Sequence, residues 1–359
     1  RMHKAIAIMQ FKLEGQLIKE HPEFDLDKRL LLDKIDFENG TVNVEGTVYP
    51  LNDTFFPTID PNNPYELTED ERAVMNSLSA SIINSERLQT HIRYMFSHGA
   101  LYKRINGNLL FHGCIPMDEN GDFLPVDIYG AKCAGRALMD HLDKQIRASY
   151  FSPEKIKKYG KPGDLMWYLW LAKDSPLFGK EKMTTFERLF IDDKASHKEH
   201  VRPYYKLINS KEPCEKILRE FGLDPSHSKI LNGHVPVKIK NGESPIKGGG
   251  LLYVIDGGIS KAYQKQTGIA GYTFIFNSRF MALAEHKPYE PLREDGTQKF
   301  FSPSMKTVDT LKTRMLVIDT DEGAELLRQA EAVKRLVEAY KTGEIKERPE
   351  GKYSAYKGK

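Results

Sequence analysis

The sequence predicts an α/β fold, because short apolar runs typical of strands alternate along it with segments of helical periodicity. The two most informative runs cover residues 109–112 and 229–232, and a histidine beside a glycine ends each of them. Their residues are Leu109-Leu110-Phe111-His112-Gly113 and Ile230-Leu231-Asn232-Gly233-His234. Such endings place imidazoles at the carboxyl edge of a sheet, where open α/β sheets bind ligands.

The first hundred residues predict a helical segment with a small β meander. Apolar residues at helical spacing begin the chain, and His21-Pro22 ends this helix because the residue before a proline avoids the α region. Turn dipeptides Asn39-Gly40 and Glu45-Gly46 then separate three short apolar runs. They predict strands over residues 30–35, 41–44 and 47–49.

The later elements follow from capping residues and apolar periodicity. Thr68-Glu69-Asp70-Glu71 is a capping-box pattern that predicts a helix to about Ser97, with a break near Asn84-Ser85. Further helices are predicted over residues 128–150, 152–160, 213–221 and 321–341. Further strands are predicted over residues 251–255 and 272–276.

Composition excludes several classes of function. The net charge is only +3, and no run of Lys and Arg is interleaved with aromatic residues, so nucleic acid is not an expected partner. No apolar run approaches the roughly 18 residues of a membrane helix, and no signal peptide is recognisable. Three cysteines form no Cys-x-x-Cys pair, which favours a reducing cytoplasm.

His112 and His234 are the candidate metal ligands. Neutral imidazole is the commonest metal ligand in proteins, and glycine lets the chain turn sharply beside a ligand. A histidine after one apolar strand is more often a hydrogen-bonded core or edge residue, so packing alone stays an alternative. The recurrence of one pattern at two strand ends favours a shared site.

Five segments resemble one family of enzymes. They are NLLFHGCIPM at 108–117, GDLMWYLW at 163–170, SPLFGK at 175–180, ILNGHVPVK at 230–238 and YVIDGGISKAYQ at 253–264. These segments resemble the class III fructose-1,6-bisphosphatases, which are calcineurin-like metallophosphoesterases. The resemblance implies the second half of a metallophosphoesterase β-sandwich flanked by helices over 101–300. The helical and meander segment over 1–100 precedes it, and a strand, a helix and a flexible tail over 301–359 follow.

The same resemblance implies a function and a cofactor. His112 and His234 would be two ligands of a binuclear Mn²⁺ centre, whose ions lie roughly 3.5–4 Å apart. A metal-bound hydroxide would hydrolyse the 1-phosphate of fructose 1,6-bisphosphate, giving fructose 6-phosphate and phosphate. The pathway implied is gluconeogenesis in a bacterial cytoplasm.

The chain departs from the family pattern in its early motifs. Asp-x-His, Gly-Asp-x-x-Asp-Arg and Gly-Asn-His, which supply bridging ligands and the proton-donating histidine, are not found in the sequence. Two imidazoles cannot neutralise two divalent ions, because carboxylates are needed for that. We therefore expect that an amino-terminal half is missing and that the chain alone is inactive or nearly so.

Other candidate site residues lie close to the second strand. Asp256 follows a buried strand, and it either orients a ligand histidine or caps the turn before two glycines. Lys238 and Lys247 are candidate phosphate ligands beside a glycine-rich loop, although a turn between strands has the same composition. Weaker candidates for clamping phosphate are Arg93, Arg136, Arg188 and Arg202.

Three alternatives stay open at this point. The first is a metallophosphoesterase for another substrate, such as a phosphoprotein or a dinucleotide polyphosphate. The second is a non-catalytic regulatory or assembly domain, in which the helices over 5–17 and 73–97 pack on the other half or on a second copy in a homo-oligomer. The third is structural packing of both histidines without any metal.

Overall fold

The structure is a computed structural model that describes residues 2–258, 260, 266–269, 271–287, 295–296 and 303–346. Unit 1 comprises Arg1–Tyr272 and His286–Phe301, and unit 2 comprises Thr273–Glu285 and Ser302–Lys359. Residues 259 and 261–264 of the last resembling segment, and residues 347–359 of the tail predicted from Lys341 to Lys359, lie outside the described residues. Helices and strands are mixed, which confirms the α/β class. The division at residues 100 and 300 stays a prediction.

Unit 1 begins with a helix packed on a meander. Helix α1 (Met2–Glu20) is followed by the antiparallel strands β1 (Ile35–Asp36), β2 (Thr41–Val44) and β3 (Thr47–Pro50). The strand predicted over 30–35 is wrong except at Ile35, because Leu31 and Leu32 are both buried and a strand with one buried face cannot bury two successive side chains. The shared core consists of Ile8, Phe11, Val42, Val44, Phe186 and Phe190, with their neighbours.

The predicted capping box is confirmed at the start of helix α2 (Glu69–Ile83). The Glu71 amide donates to Thr68 Oγ1 at 3.2 Å, and the Thr68 amide donates to Glu71 Oε2 at 2.9 Å. The break at Asn84-Ser85 is confirmed as well, since helix α3 (Glu86–His98) starts after it. Two orphan amides at this helix end are thereby satisfied.

A five-stranded mixed sheet forms the centre of unit 1. Its order is β4 (Tyr102–Ile105), β5 (Asn108–Phe111), β8 (Ile230–Asn232), β10 (Leu252–Val254) and β9 (Ile246–Lys247). Strands β5, β8 and β10 run parallel, and the outer strands β4 and β9 run antiparallel to their neighbours. The predicted strands over 109–112, 229–232 and 251–255 are confirmed, and their carboxyl ends share one edge of the sheet.

The region between β5 and β8 is mostly helical. It contains the hairpin β6 (Val126–Ile128) and β7 (Ala131–Cys133), followed by the helices α4 (Gly135–Phe151), α5 (Asp164–Leu171), α6 (Thr185–Phe190), α7 (Tyr204–Leu207) and α8 (Lys211–Glu220). The helix predicted from residue 128 is wrong up to Ala134, because Tyr129 and Gly130 have φ of +55° and +79° and turn the hairpin. The helix predicted over 152–160 is replaced by two 3-10 turns, Pro153–Lys155 and Lys157–Tyr159.

Unit 2 contains most residues of a three-stranded sheet and one long helix. The strand order is β11 (Gly271–Phe276), β12 (Phe280–His286) and β13 (Ser304–Thr310), and helix α9 (Asp321–Lys341) has the bounds expected from the sequence. Thr320 caps this helix, since its side chain accepts from the Gly323 amide. Within the described part of the chain, no helix is both long enough and apolar enough to cross a membrane.

A buried ion pair joins α1 to α2. Lys12 is fully buried, and its Nζ lies 2.7 Å from Glu71 Oε2. We expect Glu71→Ala to lower the free energy of unfolding by about 3–5 kcal/mol, because it leaves the buried Lys12 ammonium without a carboxylate and with only the Thr58 carbonyl as acceptor. Urea denaturation measures this, with Glu69→Ala on the same helix as the exposed control. A loss below about 1 kcal/mol would contradict the assigned role of the pair.

Candidate functional site

His112 lies directly after β5, at the carboxyl edge of the central sheet, and is exposed. The next residue must be small, since a Cβ on Gly113 would lie 2.3 Å from the Pro176 carbonyl oxygen. The Cys114 amide donates to that same oxygen at 2.9 Å. The strand end that carries His112 is thus held closely against residues 176–177.

His234 lies two residues after β8 and is partly buried. Its φ of +67° is in the left-handed region, which residues other than glycine rarely adopt. The preceding Gly233 amide donates to the His112 carbonyl at 2.9 Å and joins the two strand ends. An unusual backbone conformation of this kind is a frequent mark of functional sites.

The two imidazoles meet in a T-shaped arrangement, with an angle of 70° between the ring planes. His112 Nε2 lies 3.1 Å from His234 Nδ1, and the ring centroids are 5.0 Å apart. On its other side, His234 Nε2 lies 3.0 Å from the Phe178 carbonyl oxygen. Because a carbonyl only accepts, Nε2 of His234 carries the hydrogen, and Nδ1 of the neutral ring presents its lone pair towards His112. Metal-ligating histidines commonly donate their second ring nitrogen to such an acceptor.

The protonation state of His234 suits a ligand. Burial lowers its pKa below the ordinary value, the neighbouring His112 lowers it further, and the Phe178 carbonyl opposes both effects. The neutral imidazole is therefore the favoured form at neutral pH. Neutral imidazole is also the form that binds a metal ion.

Asp256 lies after β10, at the same edge of the sheet. Its Oδ1 accepts from the Gly258 amide at 2.7 Å, and its carbonyl accepts from the Val237 amide at 3.0 Å. The contact to Gly258 is that of the turn cap, which was one of the two predicted roles of Asp256. Its negative charge also raises the pKa of His234, although less strongly than burial lowers it. Its predicted role of orienting a histidine stays a prediction.

The predicted lysines lie on the outer strand β9 and in the loop that precedes it. Lys247 belongs to the outer strand β9 and lines a groove with Asn209, Glu243 and the three glycines at 248–250. The exposed Lys238 starts a short turn, where its amide donates to Glu243 at 2.9 Å. A Cβ on Gly248 would lie 2.4 Å from Cys214 Sγ, so close packing on α8 explains this glycine. Phosphate binding by either lysine stays a prediction.

The groove beside His112 has a different lysine. Its described lining includes Lys103 and Tyr102 from β4, together with His98, Leu231 and Ile255. Lys103 was missed in the sequence, because nothing in its local pattern shows that β4 pairs with β5.

Three of the predicted arginines already have carboxylate partners, as Arg136–Asp140, Arg188–Glu199 and Arg202–Asp174.

A second histidine cluster was also missed in the sequence. His21 is buried at the end of α1, and its Nδ1 and Nε2 lie 2.8 Å from Glu23 Oε1 and 2.9 Å from Asp164 Oδ2. Ligand atoms of Glu20, His21 and Asp164 lie within 4.8 Å of one another. Lys161 Nζ, however, lies 3.1 Å from both carboxylate oxygens of Glu20. The sequence offered no local signal, because 143 residues separate His21 from Asp164.

This cluster makes stability depend on pH. Burial lowers the pKa of His21, but hydrogen bonds to Glu23 and Asp164 outweigh it and raise the pKa above 6.5. Protonated His21 therefore contributes stability that is fully present below pH 6.5 and is lost as the pH rises through its raised pKa.

We expect wild type to exceed His21→Gln by about 2 kcal/mol in free energy of unfolding at pH 6, with the difference shrinking towards pH 9. Urea titrations across this range measure it, with the exposed His227→Gln as the control. A difference that grows with pH would contradict the assignment.

Comparison with known proteins adds the family. A family model described as firmicute fructose-1,6-bisphosphatase matches residues 1–342. Curated relatives include the class 3 fructose-1,6-bisphosphatases of Clostridium tetani, 52% identical over 351 residues, and of Clostridium novyi, 49% identical over 350 residues. These alignments cover 97% of this chain, with 53% of the first relative and 52% of the second. No solved structure matches, so the calcineurin-like sandwich stays a prediction.

The chain spans about half the length of the curated relatives it matches. Neither kind of match tests the activity of the chain alone, so the expected missing half and the expected inactivity stay predictions. The family model and the curated relatives cover nearly the same residues of the chain, and both indicate the same family. The chain belongs to the firmicute fructose-1,6-bisphosphatase family.

Proposed function

We propose that this chain takes part in the hydrolysis of a phosphate ester at a divalent metal centre, with His112 and His234 as metal ligands. The observation that carries the proposal is the pair of facing ring nitrogens, 3.1 Å apart, at the shared edge of β5 and β8. The proposed substrate is fructose 1,6-bisphosphate, whose 1-phosphate is released to give fructose 6-phosphate. Membership of the family and the names of the relatives support this choice.

The two histidines fit part of the ligand set of a divalent ion, which also needs carboxylates. Imidazole nitrogens suit borderline metals such as Zn²⁺, and the resemblance to the family makes Mn²⁺ the proposed ion. His234 is already oriented by the Phe178 carbonyl, as ligand histidines commonly are. When bound, a divalent ion supplies polarisation of a phosphoryl oxygen and activation of water.

The residues of this chain have separate tasks in the proposed reaction. His234 stays neutral through burial and keeps its Nδ1 lone pair directed at His112. The exposed His112 lines a groove that Lys103 also lines. The positive charge of Lys103 suits an anionic sugar phosphate. The proposed setting is gluconeogenesis in the cytoplasm, which the three free cysteines support.

We expect His112→Ala and His234→Ala to weaken Mn²⁺ binding by more than about 100-fold. Substitution of the groups that hydrogen-bond to a metal ligand typically lowers metal affinity by about 10–100-fold, and these variants remove the ligands themselves. Isothermal titration with Mn²⁺ measures this on the whole chain, with the exposed His227→Ala as the matched histidine control. Unchanged Mn²⁺ affinity in both variants would leave structural packing as the role of the pair.

Phosphate release tests the substrate. The assay compares the rates of phosphate release from three esters, with and without Mn²⁺, in wild type and both alanine variants. The esters are fructose 1,6-bisphosphate, a phosphopeptide and a dinucleotide polyphosphate. Mn²⁺-dependent release from the sugar bisphosphate alone, lost in both variants, is the expected pattern for an active chain. Faster release from either other ester would overturn the substrate assignment, and any turnover would overturn the expectation of an inactive chain.

A further inference from the structure

A tight turn after α5 contains a fully buried serine with three roles. Ser175 Oγ donates to the Leu169 carbonyl at 2.6 Å and accepts from the Leu177 amide at 3.1 Å. Its own carbonyl accepts from the amides of Phe178 and Gly179, each at 3.2 Å. One buried residue thus ties the last turn of α5 to the backbone that leads to the Phe178 carbonyl.

The same turn contacts both strand ends of the proposed metal site. The Pro176 carbonyl accepts from the Cys114 amide at 2.9 Å, two residues beyond His112. The Phe178 carbonyl accepts from Nε2 of His234 at 3.0 Å. The Gly179 carbonyl accepts from the Arg202 amide at 3.0 Å, which holds the far end of the turn. Residues 175–179 therefore form a backbone clamp across the two histidine loops.

We propose that Ser175 is a positioning residue that acts on His234 through the Phe178 carbonyl. With that carbonyl fixed, the Nε2 hydrogen is held in one hydrogen bond, and the ring can rotate little about its Cβ–Cγ bond. Nδ1 then stays directed at His112, where the proposed ion binds. This inference rests on the proposed function for its effect on metal binding, but its effect on the ring does not depend on any metal.

Burial makes the hydroxyl hard to replace. Removal of the Ser175 hydroxyl leaves the Leu177 amide without its acceptor, and an alanine at this fully buried position offers no other polar atom in its place. The turn must then shift to satisfy that amide, and the Phe178 carbonyl is one residue further on. A shift of the order of 1 Å at such a partner is enough to loosen a preorganised site.

The first test measures the Nε2–H signal of the His234 ring. In ¹⁵N-edited NMR spectra of the metal-free chain, we expect a slowly exchanging Nε2–H signal for His234 that disappears in Ser175→Ala. Ser175→Thr, which keeps a hydroxyl, restores the signal. Ser196→Ala is the matched control, since Ser196 is also buried and its Oγ donates to a backbone carbonyl, that of Asp193, at 2.8 Å.

Mn²⁺ titration supplies the second readout. We expect Ser175→Ala to weaken Mn²⁺ binding by about 10–100-fold, as for other partners of ligand histidines, and Ser196→Ala to leave it unchanged. The inference is overturned if the Nε2–H signal is missing in wild type or persists unchanged in Ser175→Ala. If Ser175→Ala does not fold, Ser175→Cys, a weaker donor of similar size, gives the same comparison. Wild type that shows the signal but binds no Mn²⁺ would overturn the proposed function and leave the positioning intact.

Discussion

The parallel pairing of β5 and β8 is the constraint on which the candidate site depends. Leu109 pairs with Ile230 and Leu110 with Leu231, although about 120 residues separate the two strands. The Gly233 amide then extends the pairing to the His112 carbonyl. A slip of one residue would move one strand end by about 3.3 Å and turn its side chains to the other face. The 3.1 Å approach of the two rings exists only in this register.

The sequence predicts those helix ends whose conformation depends on residues within a few positions of them. The capping box at Thr68, the break at Asn84-Ser85 and the bounds of helix α9 all follow from residues within one or two turns. The meeting of His112 and His234 was also predictable, since two strands with like endings in a parallel sheet share an edge. Burial of the β5, β8 and β10 side chains is what makes those strands stand out as apolar runs.

The failures came where a single backbone conformation or a distant contact decides the structure. The hairpin before α4 depends on Tyr129 adopting a positive φ, and a tyrosine gives no warning of that. The Lys12–Glu71 and His21–Asp164 pairs join residues 59 and 143 positions apart, so no spacing rule detects them. Segment 175–180 was noticed only for its likeness to a family, and its physical role became visible with the Phe178 and Pro176 carbonyls in place.

The buried His21 and the partly buried His234 show how the surroundings of an imidazole decide its chemistry. His21 has a carboxylate on each ring nitrogen, so its raised pKa favours the imidazolium, which holds α1 to α5 as a doubly hydrogen-bonded cation. His234 has a carbonyl on one nitrogen and another imidazole on the other, so burial favours the neutral ring. Since α5 leads directly into the clamp at 175–179, the charged histidine anchors the element that orients the neutral one. Exchanging their partners would reverse both protonation states, and with them which residue can bind a metal.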